Sequence, residues 1–367
     1  MHLATKHQLD RVRFGLEATS FYGWHLALYL SQATELVPFD PKVYLFNPRV
    51  VRGFKKAYPD LPKTDWADAW VIAERLRFGR LPVPFDPDER YMPLQRLTRH
   101  RYHLAKDLTR QENHFLSYLF LRASRMAQES PFSDPTGVAG SAFLLEYRTP
   151  DEVAATPIEE LARFLAEKSR NKFRHPDELA RQLKTIIKHS YRLPGKLHDA
   201  VNRILTSTLQ IIRQLEREIR ETEKAIDREM SGLDNPLLSI PGMGPVYTAG
   251  IIAEIGNIRN FPDDDSLAKF AGLTWRKRQS GEFEGEDQPL TRTGNAYLRY
   301  YLCEAANSVR MRDPNYSNYY WRKYREATRH HHKRAVVLTP RKLVRLVFAL
   351  LRDNNPYIPP ESEVTLP

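Results

Sequence analysis

Between residues 201 and 230 the chain is committed to one long helix. Leu205, Leu209, Ile212, Leu215, Ile219 and Ile226 recur at spacings of three, four and seven, the period of a helix with one apolar stripe. Glu, Arg and Lys fill the positions between them. Such a stripe has two uses: a coiled-coil seam between two copies of the chain, or the inner face of a helix in its own bundle. The run SGLDNP, residues 231–236, ends the helix with Gly, Asn and Pro.

The N-terminal part has a different rhythm. VRFGL (12–16) and VYLF (43–46) have the composition of short buried strands, and Tyr22 to Gln32 between them has helical periodicity. Strand–helix–strand order predicts an α/β layer. DWADAWVIAERLRF (65–78) predicts a helix capped by Thr64, and LPVPFDPDE behind it marks a boundary. The segment from Tyr91 to Arg125 is helical and basic, 129–150 has the composition of a loop, and helices resume near Pro157 and Pro176. The fold class expected is α/β followed by mostly α. Its divisions are 1–110 (the α/β part), 111–235 (helical linker and coiled coil), 236–352 (a helical C-terminal domain) and 353–367 (a Pro- and Glu-rich flexible tail).

Charge narrows the partners. The formal net charge is +11 over 367 residues. From Pro289 to Leu350 there are thirteen Lys or Arg against three Asp or Glu. A surplus so concentrated favours nucleic acid, held first through its phosphates and therefore salt-sensitive. Cys303 is the single cysteine, which excludes an intrachain disulfide and suits a reducing cytosol. No run of 18 apolar residues and no signal-peptide stretch is present, so a cytoplasmic, DNA-associated protein with no membrane partner is expected.

Two segments carry candidate chemistry. Residues 240–256, IPGMGPVYTAGIIAEIG, place Gly242 and Gly244 in a tight turn ahead of an apolar helix. This looks like a helix-hairpin-helix element, in which outward backbone N–H groups hold a phosphate without reading bases. An ordinary turn between packed helices is the alternative. Residues 271–306 contain Ala271-Gly272-Leu273-Thr274, Gln279-Ser280-Gly281, Arg292-Thr293-Gly294-Asn295, Leu298-Arg299, Leu302 and Ala305-Ala306. With the later helix PRKLVRLVFALL, this segment resembles the C-terminal domain of insertion-sequence 110 family transposases, an arrangement shared with Piv-type DNA invertases. One departure is Trp275, where relatives often carry proline. The resemblance implies that Ser280 is the nucleophile. A serine hydroxyl is weak at its free pKa and needs cations around the developing charge. Arg276, Lys277, Arg278, Arg292 and Arg299 are candidates to clamp the phosphate.

The N-terminal part resembles the same family. GLEAT (15–19) with Tyr22-Gly23, then Asn47-Pro48, then Lys63-Thr64-Asp65 and Asp68-Ala69, follow its order of landmarks. The resemblance implies a ribonuclease-H or RuvC-like domain in which Glu17, Asp65 and Asp68 hold Mg²⁺ or Mn²⁺. Asp65 and Asp68 are three apart and share a helix face, and carboxylate oxygens with a phosphate substrate suit such an ion. For Asp65 and Asp68 alone, a helix start favoured by the helix dipole is the alternative. The family's acidic set has one earlier aspartate on an opening strand. Only Asp10 lies upstream of Glu17, in a turn-like context, so the domain is expected to lack its first strands.

The histidine triplet His330, His331 and His332 has the character of a DNA-facing turn. Tyr316, Tyr319, Tyr320, Trp321 and Tyr324 form an aromatic, basic helix whose rings serve packing or nucleic-acid contact. The resemblance as a whole implies a bacterial transposase that cuts and rejoins DNA at the ends of a mobile element. It also implies a homo-oligomer, dimer or tetramer, and a structured non-coding RNA from the element. A metal-dependent junction-type endonuclease and a truncated, non-catalytic DNA-binding copy are the alternatives.

Overall fold

The computed structural model describes residues 5–19, 21–85, 88, 90–275, 279–280, 283–284, 290–291 and 293–359. Within them the chain is mostly helical, and its two small sheets have two strands each. Two compact units divide it. One comprises Met1–Leu94, Asn235–Met243 and Ile251–Pro367, the other Gln95–Asp234 and Gly244–Gly250.

At the N-terminus of the first unit, β1 (Arg13–Glu17) pairs in parallel with β2 (Lys42–Phe46), in the register Arg13↔Lys42 to Glu17↔Phe46. Parallel strands require a crossover, which is supplied by α1 (Trp24–Gln32) and a 3₁₀ segment, Thr34–Phe39. The strand–helix–strand reading thus holds, with β1 starting one residue later than its pattern suggests. Two helices follow, α2 (Pro48–Lys55) and α3 (Asp65–Phe78). Asn47 caps α2 by accepting from the Arg49 N–H at 2.9 Å, and Thr64 caps α3 by accepting from Ala67 N–H at 3.3 Å. Tyr44, Phe46, Val51 and Val71 form the buried centre of this layer. Gly15 lets α3 lie close on β1: a Cβ there would stand 2.6 Å from Ile72 Cγ2.

The second unit is a helical bundle built on α4 (Met92–Arg122) and α10 (Gly195–Met230). Between them in sequence lie α5 (Ser124–Glu129), α6 (Val138–Glu146), α7 (Pro150–Ala155), α8 (Ile158–Lys168) and α9 (Pro176–Lys188). Helix α6 occupies the stretch where composition predicts a loop. Its sequence VAGSAFLLE buries Phe143 and Leu144, and burial outweighs the turn-forming residues around it. Leu205, Leu209 and Ile212 of α10 are buried in the same cluster. That part of the apolar stripe is spent inside the chain, as in a bundle helix. Arg101 and Glu223 pair at 2.6 Å between α4 and α10.

The C-terminal part of the first unit contains the latter half of α11 (Pro245–Ile255), then α12 (Asp264–Ala271), α13 (Ala296–Val309), α14 (Pro314–Glu326) and α15 (His331–Asp353). Helix α15 is central, packing on α12, α13 and α14 through Leu343, Val344 and Val347. Beyond it, the Tyr357 hydroxyl donates to Asp313 at 2.8 Å. Burial and that hydrogen bond push the phenol up to about 12.

Candidate nucleic-acid site

The segment carrying Ser280 is rooted between α12 and α13. Gly272 ends α12 in the left-handed conformation (φ +70°). Thr274 and Thr291 then face each other: the Thr291 N–H donates to the Thr274 carbonyl at 2.8 Å, and their hydroxyls are 3.2 Å apart. A bridge joins Trp275 to Leu290. Beyond it, β3 (Gln279–Ser280) pairs antiparallel with β4 (Phe283–Glu284), with Ser280 opposite Phe283. Arg276, Lys277, Arg278 and Arg292, the candidate phosphate clamps, lie outside the described residues, as do four of the six residues of the acidic run Glu282–Asp287.

The Thr-Gly-Asn stretch that follows is a brace. Gly294 sits against α12 so closely that a Cβ would collide with the Phe270 carbonyl oxygen. Asn295 does four things: its side chain accepts from the N–H groups of Tyr297 and Leu298, capping α13, and its amide donates to Glu254 Oε2 at 2.7 Å, while its backbone N–H donates to Phe270 O at 2.6 Å. Glu254 is a buried residue of α11, and sequence reasoning missed it because its position looks like one more helical residue in an apolar run. Arg299 donates to the Ala271 carbonyl at 2.9 Å. In this arrangement it holds the end of α12.

Gly242 has φ +92°, and a Cβ there would come within 2.8 Å of the Ser308 carbonyl oxygen. This glycine is required for close packing on the end of α13 as well as for the turn. Around Gly244 nothing lies within 4 Å of a would-be Cβ, so the start of α11 is sterically open there.

Glu17 closes β1 and accepts from the Thr19 hydroxyl at 3.0 Å. Asp65 and Asp68 both lie in the first turn of α3, where the helix dipole favours them. Asp68 is paired with Lys55 Nζ at 2.5 Å. Among the described residues, no group of three or more His, Cys, Asp or Glu side chains is gathered to hold a metal ion. Of Glu17, Asp65 and Asp68, one, Asp68, has an ammonium partner in this arrangement. Two of the three histidines also have structural partners: His331 Nδ1 lies 2.8 Å from the Tyr324 carbonyl, and His332 Nδ1 2.7 Å from the Tyr320 hydroxyl.

Comparison with known proteins shows the class to which the chain belongs, that of insertion-element transposases. Residues 2–121 match a family model described as a transposase of the DEDD, insertion-sequence 110 type, and residues 234–321 match the model described as "Transposase IS116/IS110/IS902 family". The chain is 30% identical over 332 residues to the insertion element IS116 uncharacterized 44.8 kDa protein of Streptomyces clavuligerus, covering 88% of this chain and 80% of that one. It is 28% identical over 318 residues to the insertion element IS900 uncharacterized 42 kDa protein of Mycobacterium paratuberculosis, covering 85% and 77%. The chain belongs to the IS116/IS110/IS902 family of insertion-element transposases. Transposases of this kind cut and rejoin DNA, and a DEDD domain points in general to divalent-metal use. Among the described residues, no helix is long and apolar enough to cross a membrane.

Proposed function

We infer that this chain exchanges DNA strands at the ends of its insertion element with Ser280 as the nucleophile. In the step proposed, the Ser280 oxygen bonds to the phosphorus of one phosphodiester. The bond from phosphorus to one sugar oxygen breaks, and that sugar leaves as a hydroxyl carrying the serine's proton. Attack of a sugar hydroxyl from another strand reverses the step, rejoins DNA and frees the serine. The observation that carries the reading is the setting of Ser280. It lies on a short hairpin tied down at Thr274–Thr291 and Trp275–Leu290, just ahead of the segment Pro289–Leu350 that holds most of the chain's positive surplus. Fixed donors and cations around a phosphate are what such a transfer needs. By family resemblance, the partners are the element's DNA ends, a structured RNA from the same element and further copies of this chain. Covalent trapping on DNA carrying the element's end tests the reading: a protein–DNA adduct forms with the unaltered chain and is absent with Ser280→Ala. An adduct that persists in Ser280→Ala overturns it.

One observation favours a second reading, a DNA-binding protein that does not cut. The Lys55 ammonium pairs at 2.5 Å with Asp68, one of the three acids that the metal reading needs. The second reading predicts DNA binding with neither adduct nor nicked product in the same assay.

A further inference from the structure

Next to the root of the serine hairpin, α12, α14 and α15 enclose an open cleft. Its walls include Trp275, Tyr319, Arg322, Arg341, Lys342 and Arg345, with Asp265 as the one acid among the described residues that line it. The four cations are not equivalent. Arg341 is engaged: it pairs with Asp264 at 2.8 Å and also with Asp265, clamping α15 to the start of α12. Arg322 and Lys342 are posted around the Tyr319 ring, 5.3 and 4.9 Å from its centroid. Lys342 also lies 4.6 Å from the Tyr316 centroid, and burial lowers the pKa of its ammonium. Arg345 is largely exposed, 3.4 Å from Asp264, and the nearest carboxylate paired with Arg322 is that of Glu326, at 3.8 Å. Arg322, Lys342 and Arg345 therefore hold charge that a phosphate can still take up.

Trp275 has a different role. It is half-buried in the cleft wall and fixed by its bridge to Leu290. Tyr319 is occupied by its cations. The Trp275 indole is the ring of this cleft open to a flat partner. A rigid aromatic beside unspent cations is the pairing that holds an unstacked nucleotide, with the base on the ring and the phosphate on the cations. Duplex DNA offers no free base face, so a fully paired strand gains only the phosphate contacts.

We propose that this cleft binds one unpaired nucleotide of a DNA strand, its base stacked on Trp275 and its phosphate held by Arg322, Lys342 and Arg345. Because Trp275 is five residues before Ser280, the nucleotide held there lies within about 17 Å of the phosphodiester under attack. This location rests on the serine reading above; the binding itself does not.

The test uses the full chain and three fluorescein-labelled probes of equal length: single-stranded oligo-dT, single-stranded oligo-U and a blunt duplex of mixed sequence. Anisotropy gives each affinity at fixed salt. Trp275→Ala weakens oligo-dT binding roughly tenfold and changes duplex binding by less than about twofold, while Trp275→Phe keeps most of the affinity. Arg322→Gln with Arg345→Gln, both at exposed positions, weakens oligo-dT binding and lowers its salt slope by up to about 0.7, the share of one single-strand phosphate. These exposed changes keep the proposal testable if Trp275→Ala fails to fold. Equal losses of Trp275→Ala on duplex and single strand, or no loss on the single strand in either variant, overturn the cleft. Tryptophan-dependent binding that favours oligo-U over oligo-dT overturns the assignment to DNA. Because no probe is cleaved, a failed adduct assay with an intact Trp275 effect would refute the serine reading alone.

Discussion

A methyl group on Gly294 would lie 2.5 Å from the Gly272 nitrogen and closer still to the Phe270 carbonyl oxygen. Neither is the movable end of a side chain, so the backbone must shift. Gly294→Ala is expected to cost about 2 kcal/mol, which differential scanning fluorimetry would register as a Tm lower by roughly 4–8 °C. Gly53→Ala is the control: nothing lies within 4 Å of a Cβ there, and alanine favours the helix, so Tm holds or rises. Cys303 makes a second residue-scale prediction. Burial pushes its thiol up to about 11, leaving almost no thiolate at pH 8. A thiol reagent should therefore react slowly with the native chain and rapidly in denaturant; fast native reaction would show that α13 does not bury this face. The serine, the glycines and the carboxylates could be named from sequence because they sit in contiguous motifs. Lys55 as the partner of Asp68, and Glu254 as the partner of Asn295, could not, because each pair joins residues far apart in the chain.

At the scale of elements, legibility followed local chemistry. Helix α3 begins at Asp65 and ends at Phe78, as its Thr64 cap and the Pro-rich run behind it predict. Thr64→Ala should lower stability by about 1 kcal/mol, seen as a shifted urea midpoint with unchanged slope. Helix α6 was not legible, because what makes it a helix is its burial against residues distant in sequence. Arg122, at the end of α4, is part of that tertiary context. It is buried and donates to the Leu144 carbonyl at 2.8 Å and also to that of Tyr147, closing the C-terminal end of α6. Burial without a carboxylate bonded to it draws its guanidinium down to about 10. Arg122→Leu strands two carbonyls and should destabilise by about 2–4 kcal/mol, with hydrogen exchange of the α6 amides accelerating beyond that of α10. Uniform acceleration would mean that the arginine supports the whole bundle equally.

For the molecule as a whole, charge distribution decides behaviour. The thirteen cations between Pro289 and Leu350 exceed the acids there by ten, nearly the entire net charge. If six of them meet phosphates, affinity for non-specific duplex should fall roughly a thousandfold between 50 and 200 mM salt. A slope below about two counterions, measured by mobility shift across a salt series, would mean that the surplus is solvated surface. Sequence could give this total but not the cleft, whose walls come from three helices and the hairpin root.

The wedge of Gly294 under the Phe270 carbonyl has a genealogical consequence. Insertion elements leave copies that multiply, lose function and drift. On the proposed serine reading, Ser280 is held by what it does to DNA, whereas Gly294 is held by its part in the packing of the fold. Copies silenced recently should therefore lose the serine first and keep the glycine while their product still folds. The order of loss along a lineage of relics would date the end of strand exchange separately from the end of the protein.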